Sequence, residues 1–211
     1  MTDEREPGLD SAYALKGPDD ARQLYADWAD TYDSDFARRT GYRPARRIAE
    51  EFAAAGGTGP VLDAGCGTGL VADALPDGMA VDGLDLSPDM LAIARAKGRY
   101  RDLIEADLTR PLGFADGAYS GLVCAGTFTH GHVGPAALTE LMRVLAPGSV
   151  VALAVNAAFA RRSGMDAVLD WLERARRITA PRVTEEPIYD GPEPPEGHAD
   201  ATGLLMLFRR I

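Results

Sequence analysis

The sequence predicts an α/β protein: a doubly wound, mostly parallel seven-stranded sheet with helices on both faces, led by an N-terminal helical lid. Three observations predict it. Short apolar runs starting near Val61, Ala80, Leu103, Tyr119 and Val150 alternate with amphipathic helical stretches, the pattern of βα units. The fourth run, Tyr119–Ala125, is apolar throughout, as a central strand covered on both faces must be. Two further runs, a weak one at residues 183–189 and a strong one at 204–208, flank a loop holding Pro192, Pro194, Pro195 and Gly197 and read as a closing hairpin.

The elements follow in order. Residues 1–18 are charged and broken by Pro7, Gly8, Gly17 and Pro18, which suits a mobile tail. Residues 19–57 form the lid. Asp19 or Asp20 caps a helix bearing Leu24, Tyr25, Trp28 and Tyr32 at three- and four-residue spacing. Pro44 starts a second helix with Ile48 and Phe52 inward, stopped by Gly56 and Gly57. Residues 58–211 form the core, a single domain with the lid. Its first strand begins at Val61, and the helix after it ends near Pro76. A strand at 80–84 leads to a helix capped by Ser87-Pro88 and ended by Gly98. Leu103, Ile104 and Ala106 mark the third strand. Pro135 opens a helix carrying Leu138, Leu141, Met142 and Leu145, which Pro147-Gly148 breaks before the fifth strand at 150–155. Residues 157–164 read as a loop, and 166–178 as one more helix.

Composition narrows the function. A chain of 211 residues buries one core, and its net charge of −10 argues against a dedicated nucleic-acid surface. The longest apolar stretch, residues 150–160, contains Asn156 and is too short to span a bilayer. The first ten residues are acidic and polar, unlike a signal peptide, and the two cysteines, Cys66 and Cys124, form neither a disulfide framework nor a metal-ligand pattern. A cytoplasmic protein with reduced thiols is the expectation.

The chain is organised around residues 61–69, Val-Leu-Asp-Ala-Gly-Cys-Gly-Thr-Gly. A strand passing through glycines into a helix start lets the backbone approach a polar or anionic ligand while free N–H groups point at it. A dinucleotide fingerprint needs a third glycine where this chain has Leu70, which disfavours a nicotinamide oxidoreductase. The pattern is instead acidic-x-G-x-G-x-G and resembles motif I of the class I S-adenosylmethionine-dependent methyltransferases. Residues 81–91, Val-Asp-Gly-Leu-Asp-Leu-Ser-Pro-Asp-Met-Leu, resemble the second motif, and Glu-Ala-Asp-Leu at 105–108 the third. Leu138 to Gly148 resembles the approach to the fifth strand. Finer matches at 25–33 and 126–133 resemble the branch named after the Williams–Beuren syndrome chromosomal region.

Three acidic positions at strand ends extend the signal. Asp85 falls 20 residues after Gly65, where a carboxylate accepts from both ribose hydroxyls. Asp107 suits an adenine amino group, with the Leu108 backbone donating, and Asp63 suits the methionine ammonium. With Gly65, Cys66, Gly67, Leu86, Met90 and Thr127 they make the expected binding set for S-adenosylmethionine and its product S-adenosylhomocysteine. Trp28 and Tyr32 lie one helical turn apart; Trp28 reads as core, while the resemblance places Tyr32 over the sulfonium, where a ring face suits a cation. Thr127 and Phe128, just past the fourth strand, are candidates to line the methionine pocket. His130 and His132 are the candidate catalytic bases, their pKa being matched to proton removal from a hydroxyl or phenol. Arg38, Arg39, Arg43, Arg46 and Arg47 read as a solvated face balancing nearby acids, with a clamp for an acidic acceptor as the alternative. The implied activity is methyl transfer to a small-molecule acceptor; a cofactor-binding module without catalysis is the competing reading.

Overall fold

The computed structural model describes residues 18–129 and 132–211. Apart from Pro18, the expected tail lies outside the described residues, and so does His130. Helix α1 spans Pro18–Thr31 and runs directly into a π-helical segment, Tyr32–Arg38. Then follow α2 (Pro44–Ala54), β1 (Val61–Ala64), α3 (Leu70–Ala74), β2 (Val81–Asp85), α4 (Pro88–Lys97), β3 (Asp102–Glu105) and β4 (Tyr119–Ala125). After these come α5 (Ala137–Arg143), β5 (Leu145–Asn156), α6 (Ala157–Ser163), α7 (Met165–Arg174), β6 (Arg182–Pro187) and β7 (Thr202–Arg209).

The seven strands are ordered β3-β2-β1-β4-β5-β7-β6. All pairings are parallel except those of β7, which runs antiparallel to both β5 and β6. Period-two alternation sorts the core into two layers. Leu62, Leu122, Cys124, Val151 and Leu153 face α5, α6 and α7, packing with Leu138, Leu141, Phe159, Met165 and Leu169. Val61, Val123, Val150 and Ala152 face the other way, onto Ile48 and Phe52 of α2 and Val71 of α3. Phe52 is fully buried, and its ring occupies the space over Gly57 and Gly121 where a Cβ would come within 2.3–2.4 Å of it. Both faces are thus covered, as the apolar strands demand.

Caps behave as the residues dictate. The Ser87 hydroxyl accepts from the Met90 amide at 3.3 Å, and Gly98 closes α4 with φ +67°. Three expectations are corrected. Residues 157–164 are not a loop: the Asn156 side chain accepts from the Phe159 amide at 3.0 Å and starts α6. The helix before β5 stops at Arg143, and Leu145 already pairs with Tyr119; the register shift between Tyr119 and Gly121 absorbs Pro147-Gly148 inside the long strand. Finally, α7 ends at Arg174, and Ile178 instead bridges to Arg210.

The lid is anchored to the sheet's far edge midway along its length, at residues 40–43. The amide of Arg43 donates to the Ile188 carbonyl at 2.9 Å, and those of Asp190 and Gly191 donate to Gly41 and Thr40 at 3.1 and 3.0 Å. Trp28, Phe36, Ile188 and Tyr189 form a small cluster of their own against this seam.

Candidate functional site

Strand order reverses between β1 and β4, and in such sheets the crevice outside the carboxyl ends of the strands takes the ligand. A cavity of about 140 Å³ lies there. The chain at or just past the end of each of the first four strands reaches it: Gly65 to Thr68 after β1, Asp85 to Ser87 at the end of β2, Ala106 to Thr109 after β3, and Ala125 to Thr127 at the end of β4.

The glycine turn is held in shape by its own backbone. The amides of Gly65 and Cys66 both donate to the Leu84 carbonyl, at 2.7 and 3.0 Å. Gly65 (φ +73°) must be glycine, because a Cβ there would sit 2.0 Å from the Thr127 hydroxyl, which itself donates to the carbonyls of Ala64 and Gly65 at 3.1 and 3.3 Å. Thr127 thereby ties the end of β4 to the turn. At Gly67 a Cβ would meet nothing within 4 Å.

The carboxylates differ. Asp85 accepts from the Gly67 amide at 2.8 Å and the Ser87 amide at 2.9 Å. Burial pushes its carboxyl up from the ordinary value, and these amides restrain the rise. Asp107 accepts from the amide and hydroxyl of Thr109 at 2.8 and 2.6 Å and approaches the Arg110 guanidinium at 3.3 Å. Burial works against ionisation there too, but those contacts outweigh it and the pKa falls. Both residues line the cavity; Asp85 keeps a lone pair to spare on each oxygen, whereas Asp107 keeps one on Oδ2 only, its Oδ1 already accepting twice.

Asp63 does not line the cavity, contrary to expectation. It lies inside β1, fully buried beneath the turn, where the Tyr100 hydroxyl donates to it at 2.7 Å. Its other oxygen has no partner among the described residues. Burial pushes its pKa up to about 7, opposed by the Tyr100 hydrogen bond and reinforced by the Asp85 charge. A strand residue one step before the turn points across the sheet rather than out of its end, so Asp63 supports the glycine turn from below. Phe128 is likewise corrected: it is fully buried in the core layer of α5 to α7.

The remaining expected residues converge. Cys66, Leu86, Met90, Leu108, Thr127, Tyr32 and His132 all line the cavity. Burial raises the Cys66 thiol well above its ordinary pKa, with the Asp63 and Asp85 charges adding to it, which makes it a packing group rather than a nucleophile. His132 follows β4, its amide donating to the Thr129 carbonyl at 3.3 Å. Sequence reasoning missed Arg22, Tyr42 and Thr68, which also line the cavity. Arg22, on α1, reaches the Leu86 carbonyl and Glu105 at 3.4 Å. No motif marks it, since its position depends on how the lid folds over.

A second cavity, of about 60 Å³, adjoins the first and shares Tyr32, Tyr42 and Gly126 with it. Its other walls are Trp28, Phe36, Thr129, Asn156 and Tyr189, together with small and aliphatic residues of β5, β7 and the seam. Rings pack edge to face around it: Trp28 on Tyr32 at 5.0 Å and on Phe36 at 5.1 Å, Phe36 on Tyr189 at 6.1 Å. The basic cluster does not reach either cavity as a clamp. Arg39 pairs with Glu193, Arg46 with Glu50, Arg43 with Glu186 and Asp190, and Arg47 with Glu50, Glu51 and Glu186. Among the described residues no helix is long and apolar enough to cross a membrane, and no group of three or more potential ligands marks a metal site.

Comparison with known proteins agrees with this geometry. Residues 62–153, from β1 to β5, match the family described as a methyltransferase domain. The human protein "Methyltransferase-like protein 27" is 36% identical over an alignment of 171 residues that covers 75% of this chain and 69% of that one. A demethylmenaquinone methyltransferase of Thermus thermophilus is 43% identical over 95 residues, covering 42% of this chain and 43% of that protein. A Thermotoga maritima structure, described as an S-adenosylmethionine-dependent methyltransferase and possible histamine N-methyltransferase, superposes with a TM-score of 0.64 at 16% identity. That superposition covers 90% of this chain and 99% of that one and speaks for the fold alone. This chain belongs to the class I S-adenosylmethionine-dependent methyltransferases and is an enzyme of that family.

Proposed function

We propose that the enzyme transfers a methyl group from S-adenosylmethionine to a small-molecule acceptor, with the first cavity holding the cofactor and the second adjoining it on the acceptor side. One observation carries this reading: the segments after four adjacent parallel strands line a single cavity, with the acidic ends of β2 and β3 side by side. The residues suit the cofactor. Asp85 offers acceptors to a ribose diol, Asp107 an acceptor and the Leu108 amide a donor to an adenine edge, and Leu86 and Met90 apolar walls to its faces. Gly65, Cys66 and Gly67 present backbone to the methionine part, while Thr127 and Tyr32 flank it. When bound, the cofactor supplies an electrophilic methyl on a positively charged sulfur.

The protein's own tasks are alignment, exclusion of water and, for an acceptor bearing a proton, its removal. Tyr32 and Tyr42 stand at the boundary of the two cavities, where an acceptor atom must meet the methyl. His132 lines the cofactor side of that boundary, and with His130 it is assigned proton removal from a hydroxyl acceptor. The names of the relatives cover demethylmenaquinone and malonyl-[acyl-carrier protein], so kinship alone selects no acceptor. Among the described residues no Lys or Arg lines the second cavity, and with the overall acidity this favours a small molecule over nucleic acid.

Calorimetry tests the cofactor reading: S-adenosylhomocysteine should bind and NAD should not, and the reverse result refutes it. For the bases, His130→Gln and His132→Gln should each lower turnover of a hydroxyl acceptor by about 10²–10⁴-fold with cofactor affinity nearly unchanged. Loss of cofactor binding in both would reassign the loop to the cofactor pocket.

A further inference from the structure

We infer that the second cavity selects a neutral, ring-bearing hydroxyl compound of the phenol class as the methyl acceptor. The inference rests on the methyltransferase reading above and adds the substrate chemistry. Aromatic side chains surround the cavity, and no Asp, Glu, Lys or Arg is among the described residues that line it. A carboxylate or phosphate entering it would shed its water with no cation to replace it. Arg43, the arginine adjacent to the wall residues Tyr42 and Pro44, is held by Glu186 at 3.6 Å and Asp190 at 3.5 Å.

An ammonium would find rings but no carboxylate to balance it. Those rings are also engaged with one another, Phe36 with Tyr42 at 5.6 Å and Tyr42 with Tyr189 at 6.3 Å, instead of standing as an open box of faces. A flat neutral ring fits edges and tilted faces of this kind. Asn156 and the tyrosines also line the cavity but are engaged in interactions of their own, and the buried polar group left over is that of Thr129. This residue is 7% exposed, lines the cavity, and its hydroxyl has no hydrogen-bond partner among the described residues. A buried hydroxyl in that position calls for one neutral polar group on the ligand. Ring plus single hydroxyl describes a phenol.

The step balances. The acceptor O–H proton passes to the His132 imidazole, and an oxygen lone pair forms the new O–CH₃ bond. The C–S bond breaks with its electron pair left on sulfur, so the products are an aryl methyl ether and S-adenosylhomocysteine.

Calorimetry on the full chain saturated with S-adenosylhomocysteine tests it, with p-cresol as the probe. Toluene, 4-methylcyclohexanol, 4-methylbenzoate and benzyltrimethylammonium serve as controls lacking the hydroxyl, the aromatic ring or the neutral charge. The expected result is a p-cresol dissociation constant at least about tenfold below each control. Thr129→Val should erase the advantage over toluene, and Ile188→Trp, which fills the cavity, should abolish p-cresol binding with S-adenosylhomocysteine affinity unchanged. Equal or tighter binding of the benzoate or the ammonium overturns the inference, as does p-cresol binding that neither variant alters. Failure of S-adenosylhomocysteine to bind the wild-type chain would instead overturn the cofactor reading beneath it; normal cofactor binding with no preference for p-cresol overturns the acceptor class alone.

Discussion

The two cavities are neighbours with opposite origins. The first cavity, proposed for the cofactor, is made by backbone: four strands end at one level, and the residues at and just past those ends line it whatever the side chains elsewhere do. The second cavity, proposed for the acceptor, is made by side chains converging from separate segments: Trp28 and Phe36 from the lid, Thr129 after β4, Asn156 at the end of β5 and Tyr189 from the seam. The first is fixed by topology and the second by packing. Disturbing the first should therefore register in the stability of the whole sheet or in cofactor affinity. Disturbing the second should register in the lid and in acceptor binding.

The largest effect is expected beneath the glycine turn. In the folded chain the Asp63 carboxyl is raised to about 7 from an ordinary 3.8. Between those values the folded state keeps a proton that the unfolded state has released, so stability attributable to this group falls as pH rises through the window and levels off above it. Asp63→Asn keeps an oxygen for the Tyr100 hydroxyl and removes the titration. Relative to wild type, the variant should gain up to about 4 kcal/mol between pH 4 and pH 8 in denaturant titrations. A stability difference flat with pH, together with a large loss of cofactor affinity, would move Asp63 out of the core and into the cavity.

That variant also marks how far the sequence could be read. The spacing of glycines and strand-end acids located Asp85, Asp107 and the turn, because a βα unit leaves few places for the residue after a strand. Asp63 matches the same pattern yet lies buried beneath the turn instead of on the cavity wall. Its distance from the end of β1 is a matter of one residue, and strand alternation turns a one-residue difference into the other side of the turn. Residues 157–164 read as a loop because the start of α6 rests on a side-chain cap, Asn156, that resembles an ordinary polar strand end. Tyr42 and Tyr189 carried no signal at all; they lie 147 residues apart and meet through an isolated bridge. Trp28 was legible as an apolar face, and the partner of that face was not.

Asp85→Ala gives the second effect. It removes acceptors from the ribose side and releases the amides of Gly67 and Ser87. Cofactor affinity should drop by about 1–3 kcal/mol in calorimetry. If the two cavities are as separable as their construction implies, p-cresol should bind the cofactor-free variant as it binds cofactor-free wild type. A parallel loss at both would mean that the glycine turn also shapes the acceptor side through Gly126 and Tyr42.

The smallest effect on stability concerns the contact that holds the lid over the cofactor cavity. Asp33, on the π-helical segment, accepts from the Thr68 hydroxyl at 2.5 Å and pairs with Lys97 at 2.6 Å, and Lys97 also pairs with Asp73 at 2.9 Å. Thr68 belongs to the glycine turn and Lys97 to the end of α4, so Asp33 links the lid to two core elements that flank the cavity. Asp33 and Lys97 are only partly buried, and such pairs contribute about 0–1 kcal/mol, less at high salt. Asp33→Ala should therefore leave the unfolding midpoint nearly unchanged. The same residue should matter more to the lid than to the fold, because between Arg22, which reaches Leu86 and Glu105 at 3.4 Å, and the backbone bonds of residues 40–43 to the seam, it ties the π-helical segment to the core. Hydrogen exchange over residues 24–36 should speed up in Asp33→Ala, and cofactor should restore less protection there than in wild type. Equal protection in both proteins, with and without cofactor, would show that ring packing at Trp28 and Phe36 holds the lid by itself and that Asp33 serves only to order the glycine turn.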